Sequence, residues 1–171
     1  MNKIIATVAL LLMVPAWASA QNPDHQYRDQ GYVFIGEGSV HSSDNGLHGN
    51  AQAGAGAEVL LIRGFGVGGE LGVMGTPGHG GGIVSIDPSY RFLRKSKLVP
   101  FVEGGYSRAF GRNDTIPPTN LFNFGGGISY WAFKRVGLRL EVRDHVHSAN
   151  HSYFWGDENH YWGVRIGLTF R

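Results

Sequence analysis

The chain has 171 residues, no cysteine and a formal net charge of +2. No disulfide framework is available to it, and its basic residues form no patch of the kind that binds nucleic acid. No apolar run reaches the roughly 20 residues a spanning helix needs, and the 27 glycines are not low-complexity filler, because they sit at regular alternate positions.

The first twenty residues read as a cleaved secretory signal. Lys3 supplies the positive start, Ile4 to Val14 an apolar stretch that Pro15 ends, and Ala18-Ser19-Ala20 the small-residue cleavage pattern before Gln21. The remainder, 21–171, is expected to be one domain.

From there, period-two alternation predicts eight strands, at 31–40, 50–61, 65–75, 82–92, 99–110, 121–131, 136–146 and 159–170. The last is the clearest: in His160–Phe170 one face is His, Trp, Val, Ile, Leu and Phe, and the other is Tyr, Gly, Arg, Gly and Thr. These segments match the ~9–11 residues a tilted strand needs to cross a bilayer, whereas soluble strands are commonly ~5–6. Connections alternate between short ones, at 62–64, 93–98 and 132–135, and long ones, at 41–49, 76–81, 111–120 and 147–158. The short turns carry Arg63, Arg94, Lys95, Lys97, Lys134 and Arg135; the long loops carry Asp44, Asp114, Asp157 and Glu158. Short periplasmic turns and longer outer loops are the asymmetry of outer-membrane barrels.

Alternation also assigns faces. A charge network of Glu37, Glu58, Glu70, Asp87, Glu103, Arg139, Glu141, Arg143 and Arg165 is expected inside, with His145 and many glycines that leave volume for water. Val, Leu, Ile and aromatic residues are expected to face lipid. Two aromatic girdles are expected to mark the interfaces. Tyr32, Phe34, Phe65, Tyr90, Phe92, Tyr130 and Phe170 form one; Phe110, Phe122, Phe124 and Trp162 form the other. Arg108 and Asp144 are the outward exceptions, near the outer strand ends, where a charge costs only ~0–1 kcal/mol. The fold expected is all-β, an eight-stranded antiparallel up-and-down transmembrane barrel.

The alternating strands, the segment Val99-Pro100-Phe101-Val102-Glu103-Gly104-Gly105-Tyr106 and the closing Gly163–Phe170 resemble the small eight-stranded outer-membrane barrel family typified by OmpA and OmpX. The resemblance implies residence in a Gram-negative-type outer membrane, among its lipid and lipopolysaccharide. It further implies recognition of the C-terminal strand, through Phe170, by the outer-membrane assembly machinery; this chain ends one residue later, at Arg171. A monomer with a structural or surface-interaction role is expected, with a narrow, porin-like solute channel as the alternative.

The remaining motifs are weaker. His145, His147 and His151 carry imidazoles that suit a transition metal. PagL-type lipid A deacylases are also eight-stranded barrels, and His147, Ser148 and Glu158 resemble their triad, although His147 and Ser148 are adjacent here rather than one residue apart. No catalytic role, metal or cofactor is expected. Gly64–Gly69 matches a dinucleotide fingerprint in form, but a strand follows it where that site requires a helix.

Overall fold

The computed structural model describes residues 29–42, 46–76, 79–93, 96–111, 118–147 and 160–171. They form eight strands: β1 (Asp29–Ser42), β2 (Gly46–Ile62), β3 (Phe65–Thr76), β4 (His79–Arg91), β5 (Leu98–Gly111), β6 (Thr119–Tyr130), β7 (Val136–His147) and β8 (His160–Phe170). Each expected strand is present, with ends displaced by a few residues. Each pairs antiparallel with its neighbour in sequence, and β8 returns to β1 from Gly31↔Phe170 to His41↔His160, which closes the sheet. Closure satisfies the backbone groups that an open edge would expose, a condition any sheet must meet to sit in hydrocarbon.

The short connections are tightly built. Arg63 and Gly64 have φ of 48° and 100°, the signature of a two-residue type I′ hairpin, whose twist matches the strands it joins. Only glycine fits the second position, because a Cβ there would lie 2.6 Å from the Arg91 carbonyl oxygen. Neighbouring turns are also tied together. The Arg91 amide donates to Gly64 O (2.8 Å), the Trp131 amide to Lys97 O (2.7 Å) and the Arg171 amide to Arg135 O (3.0 Å).

Side chains alternate as an inside-out barrel requires. In β7, Leu138, Leu140 and Val142 are exposed while Arg139, Glu141 and Arg143 are buried. In β8, Trp162, Val164, Ile166 and Leu168 are exposed while Tyr161, Arg165 and Thr169 are buried. Of the expected girdle, Phe65, Phe92, Tyr130 and Phe170 line one outer rim, and Phe110, Phe122, Phe124 and Trp162 the other. Tyr90 packs between Phe65 and Phe92, with ring centroids 4.7 Å from each.

β1 corrects the expectation. Its even positions, not its odd ones, face the axis: Tyr32, Phe34 and Val40 are buried, whereas Val33, Ile35 and Glu37 are exposed. Tyr32 and Phe34 therefore leave the girdle, and Glu37 leaves the luminal charge network. The reason lies across the sheet on β2, where Gly54 and Gly56 leave space that the two rings fill. A Cβ on Gly54 would stand 2.8 Å from Phe34 Cζ, and one on Gly56 would collide with the Tyr32 ring. Gly54 and Gly56 therefore accommodate aromatic rings.

Candidate functional site

The lumen is the one place where chemistry-bearing side chains converge among the described residues. An eight-stranded barrel encloses an interior that side chains fill, and this one stacks three layers along its axis. Nearest the short turns, Val99, Phe101 and Trp131 are buried, and Arg171 stacks over the Trp131 ring, 3.6 Å from its centroid.

The middle layer is ionic. Strands β2, β3, β4, β5 and β7 present Glu58, Glu70, Asp87, Glu103 and Glu141; β4, β7 and β8 present Arg91, Arg139, Arg143 and Arg165. Arg143 is the hub: its Nε donates to Glu141 Oε1 (2.6 Å) and its Nη1 to Asp87 Oδ2 (2.9 Å), with Glu70 Oε2 at 3.7 Å and Glu103 also in contact. Arg139 bridges Glu103 (2.8 Å) and Glu141 (2.9 Å). Arg165 Nη1 reaches Glu70 Oε1 (3.0 Å), and its Nε donates to Gln52 Oε1 (2.7 Å). Arg91 closes the lower edge on Glu58, which also accepts from Gln30 Nε2 (2.8 Å) and Ser89. An uncompensated buried charge costs several kcal/mol; here every carboxylate meets a guanidinium.

Aromatic rings complete the layer. The Arg139 guanidinium lies 3.9 Å from the Phe101 centroid and 4.3 Å from that of Tyr32, and Arg165 lies 4.4 Å from that of Phe34. Tyr32 Oη donates to Glu70 Oε2 (3.1 Å). Cation–π contacts of this kind gain strength away from water, which is a second reason β1 turns its aromatic face inward. Above, Asn123 Nδ2 donates to Asp87 Oδ1 and Ser107 Oγ (2.7 Å each), and the Ser85 and Ser107 hydroxyls are paired at 2.8 Å.

At the loop end apolar side chains join the lining, beside the buried Asn50, Thr119, His145 and His147. Val40, Met74, Ile83, Ala109, Leu121 and Tyr161 form one buried cluster, contributed by the outer ends of β1, β3, β4, β5, β6 and β8. Neither this cluster nor the roles of Arg91, Tyr32 and Gln52 were anticipated from sequence. The glycine-rich even face of β1, with Gly36 and Gly38, matched the inward faces elsewhere and was the signal that could have revealed it.

The weaker candidates do not assemble. His145 and His147 point inward on β7 and are buried, while His151, Ser148 and Glu158 lie outside the described residues. No group of three or more His or acidic residues converges on a metal-sized site among the described residues. On the outer surface, His160 Nδ1 and Asp144 Oδ2 are 2.7 Å apart across β7 and β8, and Arg108 stacks near Phe110, 5.9 Å from its centroid.

A closed eight-stranded sheet with an aliphatic belt outside and paired charges inside is stable only where hydrocarbon surrounds it. The fold is that of a small outer-membrane barrel. No profile of a known family matches the sequence, and no curated protein does. Among solved structures, the barrel is similar to the N-terminal β-barrel domain of Pseudomonas aeruginosa OprF, with a TM-score of 0.62 and 14% identity over 84% of this chain and 96% of that one. It is also similar to Neisserial surface protein A, with a TM-score of 0.63 and 11% identity over 85% of this chain and 97% of that one. A de novo designed transmembrane β-barrel gives a TM-score of 0.52 at 15% identity, covering 84% and 93%. At these identities the likeness is one of fold.

Proposed function

We propose that the barrel is a closed, monomeric outer-membrane protein with a structural or surface-interaction role carried by its four longer loops, and that it performs no catalysis. The observation that carries this reading is the filled lumen: an ion-paired middle beneath a packed layer in which Val40, Met74, Ile83, Ala109, Leu121 and Tyr161 lie beside the buried Asn50, Thr119, His145 and His147. An ion entering from the loop side would have to part this packed layer and then displace a paired guanidinium, a step that costs several kcal/mol. The partners proposed are lipopolysaccharide at the outer rim, where Arg108 and the aromatic girdle sit, and the assembly machinery at the C-terminal strand ending in Phe170.

Planar-bilayer recording tests this directly. The refolded barrel is expected to give no steady conductance, and Glu103→Ala is expected to leave it silent. Reproducible openings whose size changes with Glu103→Ala would overturn the reading in favour of a solute channel.

A further inference from the structure

The end of the barrel that carries the short turns has a surface the lumen does not explain. Arg63, Lys97, Lys134 and Arg135 are all exposed there, spread over the three hairpins that join β2 to β3, β4 to β5 and β6 to β7. Each hairpin also projects a large apolar side chain: Ile62 is 66% exposed, Leu93 68% and Phe133 73%. These side chains continue the aliphatic belt of the strands rather than interrupting it. Asp29, at the start of β1, is the one acidic side chain among the described residues at this end that does not face the lumen. Arg171 is engaged over the Trp131 ring.

Backbone geometry supplies an independent sign of use. The two non-glycine residues with positive φ among the described residues are Arg63 (48°) and Leu93 (47°), one in each of two of these turns. L-residues other than Asn and Asp disfavour that region, and the type I′ turn at Arg63 ordinarily selects Asn or Gly. Strain of this kind persists where the side chain is needed. Here it fixes a guanidinium in one turn and a leucine in another, and the bonds between adjacent turns hold the rim in register.

We infer that this rim binds the headgroups of anionic phospholipids in the periplasmic leaflet. Apolar tips seated at the top of the acyl region set the cations at phosphate depth, and four exposed basic side chains against one acidic side chain favour an anionic over a zwitterionic headgroup. The inference rests on the membrane placement proposed above and adds a leaflet and a headgroup to it. A soluble acidic partner would have no use for three exposed apolar tips continuous with the lipid-facing belt.

The test uses the full barrel reconstituted in phosphatidylcholine vesicles, with spin-labelled phosphatidylglycerol and spin-labelled phosphatidylcholine as probes of lipids at the protein surface. The labelled phosphatidylglycerol is expected to associate roughly three- to fivefold more strongly, and the preference is expected to shrink as salt screens the cations. The variant Arg63→Gln, Lys97→Gln, Lys134→Gln, Arg135→Gln is expected to bind both probes equally. Should that variant fail to fold, the salt titration of the unsubstituted barrel decides alone. Equal association of the two probes, a preference indifferent to salt, or a preference that survives the four changes would each overturn the inference. So would cosedimentation with anionic cell-wall glycan in the absence of any lipid preference. Heat-modifiable gel mobility, recorded on the same samples, separates the cases: its loss strikes at the membrane reading itself, and its retention confines the failure to the headgroup.

Discussion

Arg143 is fully buried and touches carboxylates from four different strands, Glu70 on β3, Asp87 on β4, Glu103 on β5 and Glu141 on β7. Removing it strands negative charge at the centre of the barrel. Arg143→Ala is expected to lower stability by about 3–5 kcal/mol, measured as urea unfolding of the barrel in lipid vesicles, whereas Arg108→Ala on the outer rim should change it by less than about 1 kcal/mol. The packing of Tyr32 against Gly56 gives a second residue-level test. Gly56→Ala should destabilise by about 1–3 kcal/mol because the added methyl meets the Tyr32 ring and, at 2.9 Å, the Gly69 carbonyl oxygen; in a Tyr32→Ala background the ring's share of that cost should vanish and the carbonyl's remain, a coupling that a double-mutant cycle measures. Most of the ionic residues were legible in the sequence, because Glu58, Glu70, Asp87, Glu103, Arg139, Glu141, Arg143 and Arg165 each alternate with aliphatic neighbours. Arg91 was not: it stands next to a run of basic turn residues, and only the fold shows it turned inward onto Glu58.

At the level of strands and turns, alternation identified all eight elements and the facing of seven. β1 was ambiguous for a physical reason. Its consecutive Tyr32-Val33-Phe34-Ile35 is apolar on both faces, so Glu37, the one acid within the expected span 31–40, decided the expectation. Yet Glu37 sits in the outer half of the strand, opposite Ala51 and Val164 and one alternate position inside the level of Trp162, where an outward carboxylate costs less than at the midplane. The space left by Gly54 and Gly56 on the neighbouring strand decides instead, and that depends on a pairing register no local pattern contains. The β2–β3 hairpin yields a test at the same scale. Arg63→Asn should raise stability by about 1 kcal/mol, since Asn tolerates the left-handed conformation that Arg63 occupies. Gly64→Ala should lower it by more than that, through both its positive φ and the Arg91 carbonyl beside it. Both are read from unfolding midpoints in the same lipid.

Across the whole molecule, the account depends on which surface of the closed sheet meets hydrocarbon. The absence of cysteine allows each position to be labelled singly, so collision of spin labels with oxygen, which partitions into lipid, can be scanned along β8 and β1 in bilayers. Labels at positions 164, 166 and 168 on β8, and at 33 and 35 on β1, are expected to show high oxygen accessibility, with minima at 165 and 169 and at 32 and 34. Maxima at 165 and 169, with 164 and 168 shielded, would contradict the inside-out barrel. Maxima at 32 and 34 would contradict the inward turn of β1 that completes its lumen.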